Sequence, residues 1–454
     1  MLNYTPKEIS QRSALKINPA KTCQPVGAMY AGLGVHACLP HSHGSQGCCA
    51  FHRMFLTRHF KDPVMASSSS FTEGASVFGG GSNLKTACKN IFDLYKPDII
   101  AVHTTCLSET IGDDLNSLIT DMSIPDGKYV VHCNTPSYKG SHITGFTNMV
   151  SGFIKYLSST TTEKNGKACI MPGFVNPGDM REYKKLMNLM KVPFTMLPDT
   201  SGVLDGPMTG KYDMYPKGGT KIEEIKALGG CKKTIALGEI ASEPSAEVLK
   251  KKCGVDYATL PLPMGVEATD KFILELQLFS KEEVPYELEE ERGQLVDMMI
   301  DIHPYTYNKK VAIFGDPDTV LGIGAFCLEL GMIPKYMLTG TPSTIFEKRA
   351  TELLEKYGVD GCIAKADSDL FLLHQWIKND PVDLLIGTTH GKHIARAEDI
   401  PLVRMGFPII DRYIHSYMPL VGYRGGMRMA EMIANALMDY QDSHCDEKDV
   451  EVVM

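Results

Sequence analysis

Asp98-Ile-Ile-Ala-Val102, followed after His103 by Thr104-Thr-Cys106-Leu-Ser-Glu109, is the stretch that decides the fold. An unbroken apolar run opening onto hydroxyl residues reads as a strand buried on both faces, with a binding loop at its carboxyl end. The same kind of run recurs at Tyr129-Val-Val-His, Ala168-Cys-Ile-Met, Thr234-Ile-Ala-Leu, Val311-Ala-Ile-Phe and Val382-Asp-Leu-Leu-Ile. Helical patterns lie between them. Phe146, Met149, Val150, Phe153, Ile154 and Leu157 recur at helical spacing, as do Met429, Met432, Ile433, Ala436, Leu437 and Tyr440, so each helix is expected to bury one stripe. Strands alternating with helices specify doubly wound, Rossmann-like α/β domains with parallel sheets flanked by helices, and place binding loops at the carboxyl ends of the strands. The polar stretch Ser158 to Lys167 and the acidic segment Lys281 to Arg292 divide the chain into 1–160, 161–295 and 296–454. Cys106 and Ser137 fall in strand-end loops of the first part.

Three cysteines stand out from the thirteen in the chain. Cys23 lies in Asn18-Pro-Ala-Lys-Thr-Cys23-Gln-Pro, Cys48 in His43-Gly-Ser-Gln-Gly-Cys48, and Cys106 in the opening stretch. Each is flanked by Gly, Pro, Ser or Thr, which predicts loops whose backbone N–H groups approach sulfur and points to an iron–sulfur centre. Cys169 and Cys327, by contrast, sit in apolar runs as small core hydrophobes do. No Cys-x-x-Cys pair is present, and three thiolates do not complete a cluster. From spacing alone, structural thiols remain the competing reading.

The composition of 454 residues, 43% hydrophobic and 22% charged, fits a globular protein of about three domains. A net charge of −8 provides no bulk attraction to nucleic acid or an anionic membrane. The N-terminus lacks the apolar core of a signal peptide, and no stretch is apolar for long enough to span a membrane, so a cytoplasmic protein with reduced thiols is expected.

Other motifs carry less. Phe78-Gly-Gly-Gly-Ser-Asn83 lacks the spacing of a dinucleotide loop and reads as a turn, and Gly387-Thr-Thr-His-Gly-Lys392 is one residue short of a phosphate loop, so the chain is not expected to hydrolyse ATP itself. His41 and His43 read as neutral loop histidines rather than metal ligands. Asp297 and Asp301, spaced i, i+4 on a helix, repel unless a cation lies between them; a solvated helix face is the alternative.

Taken in order, Cys23-Gln-Pro-Val-Gly-Ala, His43 to Cys48, Phe71 to Gly80, Thr104 to Asp114, Thr135-Pro-Ser137 to His142, Arg292 to Met299, Phe314-Gly-Asp-Pro-Asp318 and Gly406 to Arg412 resemble the β chains of molybdenum–iron nitrogenase. The resemblance spans nearly the whole chain. It implies three α/β domains, an α2β2 tetramer with a nitrogenase α chain, and an 8Fe-7S P-cluster on the αβ interface held by three cysteines from each chain. It also implies an iron–molybdenum cofactor on the α chain only. The activity implied is reduction of N2 and protons with ATP-driven electrons, drawn ultimately from reduced ferredoxin or flavodoxin and delivered by the iron protein, a dimeric 4Fe-4S ATPase.

Residue by residue, Cys23 and Cys106 resemble terminal cluster ligands and Cys48 the bridging thiolate. Ser137 resembles a hydroxyl that binds iron in the oxidised cluster, and Phe78 the exposed aromatic on which the iron protein docks. Asp297 and Asp301 resemble carboxylates of an interchain divalent-cation site completed by the Lys61 carbonyl and Asp62 of a second β chain. Phe51 stands where many relatives carry Tyr, and little chain precedes Cys23, which implies a smaller αβ contact. The competing readings are a vanadium or iron-only nitrogenase β chain, a cofactor-assembly scaffold chain, and a non-redox metabolite-binding α/β protein. Ser45 favours the molybdenum form over the first, and the presence of Cys23 and Cys106 speaks against the second.

Overall fold

The computed structural model describes residues 5–10, 12 and 15–446. Its first sheet contains β1 (Cys38–His43), β2 (Ser67–Ser68), β3 (Ile99–Thr104) and β4 (Tyr129–Cys133) in the order β2-β1-β3-β4. The second contains β5 (Ala168–Met171), β6 (Phe194–Met196), β7 (Lys233–Leu237) and β8 (Tyr257–Leu260) in the order β6-β5-β7-β8. The third contains β9 (Lys310–Gly315), β10 (Ile333–Thr339), β11 (Ile363–Lys365), β12 (Leu384–Gly387) and β13 (Leu402–Arg404) in the order β11-β10-β9-β12-β13. Every neighbouring pair is parallel. The chain is thus a doubly wound α/β protein with three parallel sheets, and each of the six apolar runs forms one of the strands.

In the first sheet the strand order reverses between β1 and β3, and such a switch point opens a crevice beyond the carboxyl ends of those two strands. Cys48 follows β1 and Cys106 follows β3, so topology alone brings both to that crevice.

His41 and His43 are not in a loop. Both are fully buried within β1, all six of whose residues are buried despite Pro40 and three polar side chains. Hydrogen bonding makes this tolerable: His41 Nδ1 lies 2.9 Å from Ser67 Oγ and Nε2 2.8 Å from Ser69 Oγ, while Ser42 Oγ lies 2.8 Å from His103 Nε2.

Behind this sheet runs α1 (Gln24–Leu33), buried along all ten residues. It crosses the helix His142–Leu157 backbone to backbone: a Cβ on Gly27 would stand 1.7 Å from the His142 oxygen, and one on Gly145 1.9 Å from the Gln24 oxygen. Eleven residues of that second helix are buried, more than the single stripe expected, because it is covered by α1 on one side and by the helix Glu239–Cys253 on another. Next along the chain around the crevice come α2 (Gln46–Phe60), α3 (Glu73–Phe78), α4 (Gly81–Leu94) and α5 (Cys106–Ile111).

Residues 158–167 form the irregular connection into β5. The break expected at 295–296 instead lies inside a continuous helix, Tyr286–Thr306, whose first turn takes up the acidic residues Glu287 and Glu289, favourably placed at a helix N-terminus. The chain start also crosses over to the third sheet, where Arg12 makes a two-bond contact of 2.8 and 2.9 Å with Asp369. No helix among the described residues is long and apolar enough to cross a membrane.

Candidate functional site

The three flagged cysteines occupy helix starts rather than loops. Cys23 is the N-cap of α1, Cys48 lies in the first turn of α2 behind the N-cap Ser45, and Cys106 is the first residue of α5 behind Thr105. Pro, Ser and Thr flank them because these residues begin helices as readily as they form loops. At α1 and α2 the unpaired N–H groups and the positive end of the helix dipole favour charge on sulfur. Ser45 Oγ adds a hydrogen bond to Cys48 Sγ at 3.2 Å.

Cys48 is the centre of the group. It lies near enough to Cys106 and Cys23 for its charge to act on both. Burial is the first cause of the raised pKa of Cys23 and of Cys106; the neighbouring Cys48 adds to both. Iron cations beside Cys23 and Cys106 would offset that cost of ionising them. All three are half-buried, whereas Cys38, Cys49, Cys88, Cys133, Cys169, Cys231, Cys253 and Cys327 are buried as core residues.

Backbone contacts hold the three loci together. A Cβ on Gly44, just past β1, would stand 1.8 Å from Thr105 Oγ1, so only glycine lets the strand end pass against the start of α5. Ser108 Oγ donates to the His43 carbonyl at 2.7 Å and the Thr105 N–H donates to it at 3.1 Å. The Thr135 N–H and hydroxyl bond to Thr104 at 2.6 and 2.7 Å, and Gln24 Nε2 donates to the Pro136 and Lys139 carbonyls at 3.2 and 2.8 Å. Ser137 therefore sits, half-buried, in a turn tied to the residues next to both Cys23 and Cys106. Phe51 and Met54, on the helix of Cys48, and Tyr138, next to Ser137, are exposed.

Three half-buried thiols at helix starts are a donor set that fits iron–sulfur chemistry. Among the described residues no three Cys, His, Asp or Glu side chains close into a single-ion site, and thiolates that serve different irons need no such closure.

Phe78 ends α3 and is 90% exposed, next to Val77 at 74%. The three glycines after it serve contacts within the chain. Gly79 turns the chain at φ 93°, Gly80 packs so closely on Phe71 that a Cβ would stand 1.9 Å from its ring, and Gly81 faces Leu118 at 2.6 Å. Asp113 Oδ1 and Oδ2 accept the Gly80 N–H at 3.2 and 3.0 Å, and Oδ2 also meets His43 Nε2 at 3.0 Å. Phe78 projects from a turn braced from within.

Asp297 and Asp301 are exposed on the helix Tyr286–Thr306. Lys61 caps α2 at φ 64° with Nζ bonded to the Ile410 carbonyl at 2.9 Å, and the half-buried carboxyl of Asp62 beside it is raised by burial and by Asp205. They mark the end of α2 remote from Cys48. His52 and Asp113 were not singled out from the sequence as site residues, although His52 stands four positions after Cys48 and so on the same helix face.

Residues 23–438 match the family of nitrogenase component 1 type oxidoreductases. The chain is 60% identical over 457 residues, 100% of each chain, to the nitrogenase molybdenum–iron protein β chain of Clostridium pasteurianum. It is 38% identical to that of Azotobacter vinelandii over 95% of this chain and 86% of the other. Among solved structures, one titled nitrogenase Cp1 at pH 6.5 superposes with a TM-score of 0.98 at 60% identity over 100% of both chains. A chain titled nitrogenase Cp1 at pH 5 shares the fold alone, with a TM-score of 0.69 at 16% identity over 97% of this chain and 92% of the other. The chain belongs to the nitrogenase component 1 oxidoreductases, among the β chains of the molybdenum–iron protein.

Proposed function

We propose that Cys23, Cys48 and Cys106 hold one half of an 8Fe-7S P-cluster whose other half is held by a nitrogenase α chain, and that this chain relays electrons from the iron protein toward the iron–molybdenum cofactor of the α chain. The observation that carries the reading is the meeting of three helix starts that bear Cys23, Cys48 and Cys106, with Cys48 and Cys106 at the switch point of the first sheet. When bound, the cluster supplies an electron store between donor and cofactor. The protein's part is to offset the charge that each added electron brings. Ser45 donates to Cys48 and the backbone N–H groups at the start of α1 support the Cys23 sulfur, which favours the reduced state. Ser137 offers a harder oxygen donor that suits oxidised iron, and its half-buried turn tied to Gln24 and Thr135 supports that role.

Phe78, exposed at the tip of a braced turn, is the anchor for the iron protein, which hydrolyses the ATP. Asp297 and Asp301, with the Lys61 carbonyl and Asp62 of a second β chain, form a divalent-cation site that ties two αβ halves into the α2β2 tetramer. Anaerobic iron and molybdenum analysis of the complex purified with its α chain tests the reading. Both metals are expected, with iron falling sharply in Cys48→Ala; an iron-free complex, or vanadium in place of molybdenum, would overturn it.

A further inference from the structure

Helix α2 carries a second group that faces the cysteines. His52 lies one turn after Cys48, is 2% exposed, and places Nε2 3.4 Å from Cys23 Sγ. Its Nδ1 is buried with no hydrogen-bond partner. The ring is steadied by Phe51, edge-on at 6.0 Å, and by His103 at 6.3 Å, itself anchored to Ser42 at 2.8 Å.

The tautomer follows from these contacts. A neutral imidazole has one N–H, on Nδ1 or on Nε2. Placed on Nδ1, that N–H would be buried without an acceptor while a lone pair faced sulfur. Placed on Nε2, it donates to sulfur and leaves only a lone pair unpaired, the smaller cost.

We propose that His52 is a positioning residue of the cluster site, whose Nε2–H donates to the Cys23 thiolate and raises the reduction potential of the bound cluster. The inference rests on the cluster reading above. An N–H···S bond stabilises the more negative, reduced state, because reduction increases charge on the sulfurs. Since Cys48 and His52 are i, i+4 on one helix, the same rigid element supplies one ligand and fixes the orientation of another.

The test compares His52→Phe, a ring without a donor, with His52→Gln, which keeps an N–H at similar reach, each in the anaerobic complex with its α chain. Iron is counted and the cluster is titrated by redox-poised electron paramagnetic resonance. His52→Phe is expected to keep its iron while its reduction equilibrium falls about tenfold, a midpoint about 59 mV more negative for a one-electron couple. His52→Gln should stay closer to the unsubstituted protein. Full iron with an unmoved midpoint in His52→Phe overturns the proposal, as does an equal shift in both variants or iron loss from both, each of which makes the ring mere packing. An unsubstituted complex without cluster iron would instead defeat the cluster reading itself.

Discussion

His43 Nε2 meets Asp113 Oδ2 at 3.0 Å, and the same carboxylate accepts the Gly80 N–H. One side chain thus joins the strand leading to Cys48 to the turn that presents Phe78. Asp113→Ala leaves two inner N–H groups without their acceptor, at about 1–3 kcal/mol each. The turn should loosen, so that more iron protein is needed for half-maximal rate while iron content holds. Asp113→Asn, which keeps an acceptor oxygen, should do less. Rate against iron-protein concentration, with iron assayed in parallel, checks both.

Phe78→Ala tests docking itself. A central aromatic at an interface contributes about 1–3 kcal/mol, a change of roughly 5- to 150-fold in affinity. Half-maximal rate should require that much more iron protein, with product ratios and iron unchanged. Because Phe78 is 90% exposed, no loss of fold should accompany the change. An unaltered dependence on iron protein would remove Phe78 from the interface.

Gly145→Ala probes how Cys23 is positioned. The new Cβ would stand 1.9 Å from the Gln24 oxygen, where only backbone can yield, so α1 must move and Cys23 with it. Overpacking of this kind costs about 1–3 kcal/mol. The thermal midpoint and the iron content should both fall. Gly293→Ala, on an exposed helix with no atom within 4 Å of the new Cβ, should lower neither.

Several features of the fold were legible because a central parallel strand is an unbroken apolar run. β3, β5, β7, β9 and β12 read that way. β1, the strand that matters most to the site, did not: Pro40, His41, Ser42 and His43 look like a loop until Ser67, Ser69 and His103 are seen to satisfy them. The cysteines were legible as a set but not as helix starts, since the same flanking residues serve caps and turns. Gly80 and Gly81 hold a further contact that the turn reading did not include. Their missing side chains make room for Phe71 and Leu118 of this chain, which no local pattern records.

The polar strand also gives a pH prediction. Burial holds the pKa of His41 at about 3, against about 6.5 in the unfolded chain. The unfolded chain takes up a proton where the folded one does not, so the contribution of His41 is complete above about pH 6.5 and is lost as pH falls toward 3. Asp179 and Asp318, each raised to about 6 by burial, act in the opposite sense, so a single curve is uninformative. The informative quantity is the difference in thermal midpoint between the unsubstituted protein and His41→Gln. That difference should shrink as pH is lowered from 7 to about 4.5, by up to about 1.4 kcal/mol of stability per pH unit; parallel curves would mean that His41 is not held neutral.

In the proposed site Cys23, Cys48 and Cys106 bind iron of one cluster together with the α chain. Anomalous diffraction at the iron absorption edge, from anaerobically grown crystals of the complex, tests it most directly. A single group of iron peaks touching all three sulfurs, with Cys48 at its middle and α-chain ligands on the far side, is the expected result. Iron bound away from these sulfurs, or three free thiols beside an ordered α chain, would contradict it.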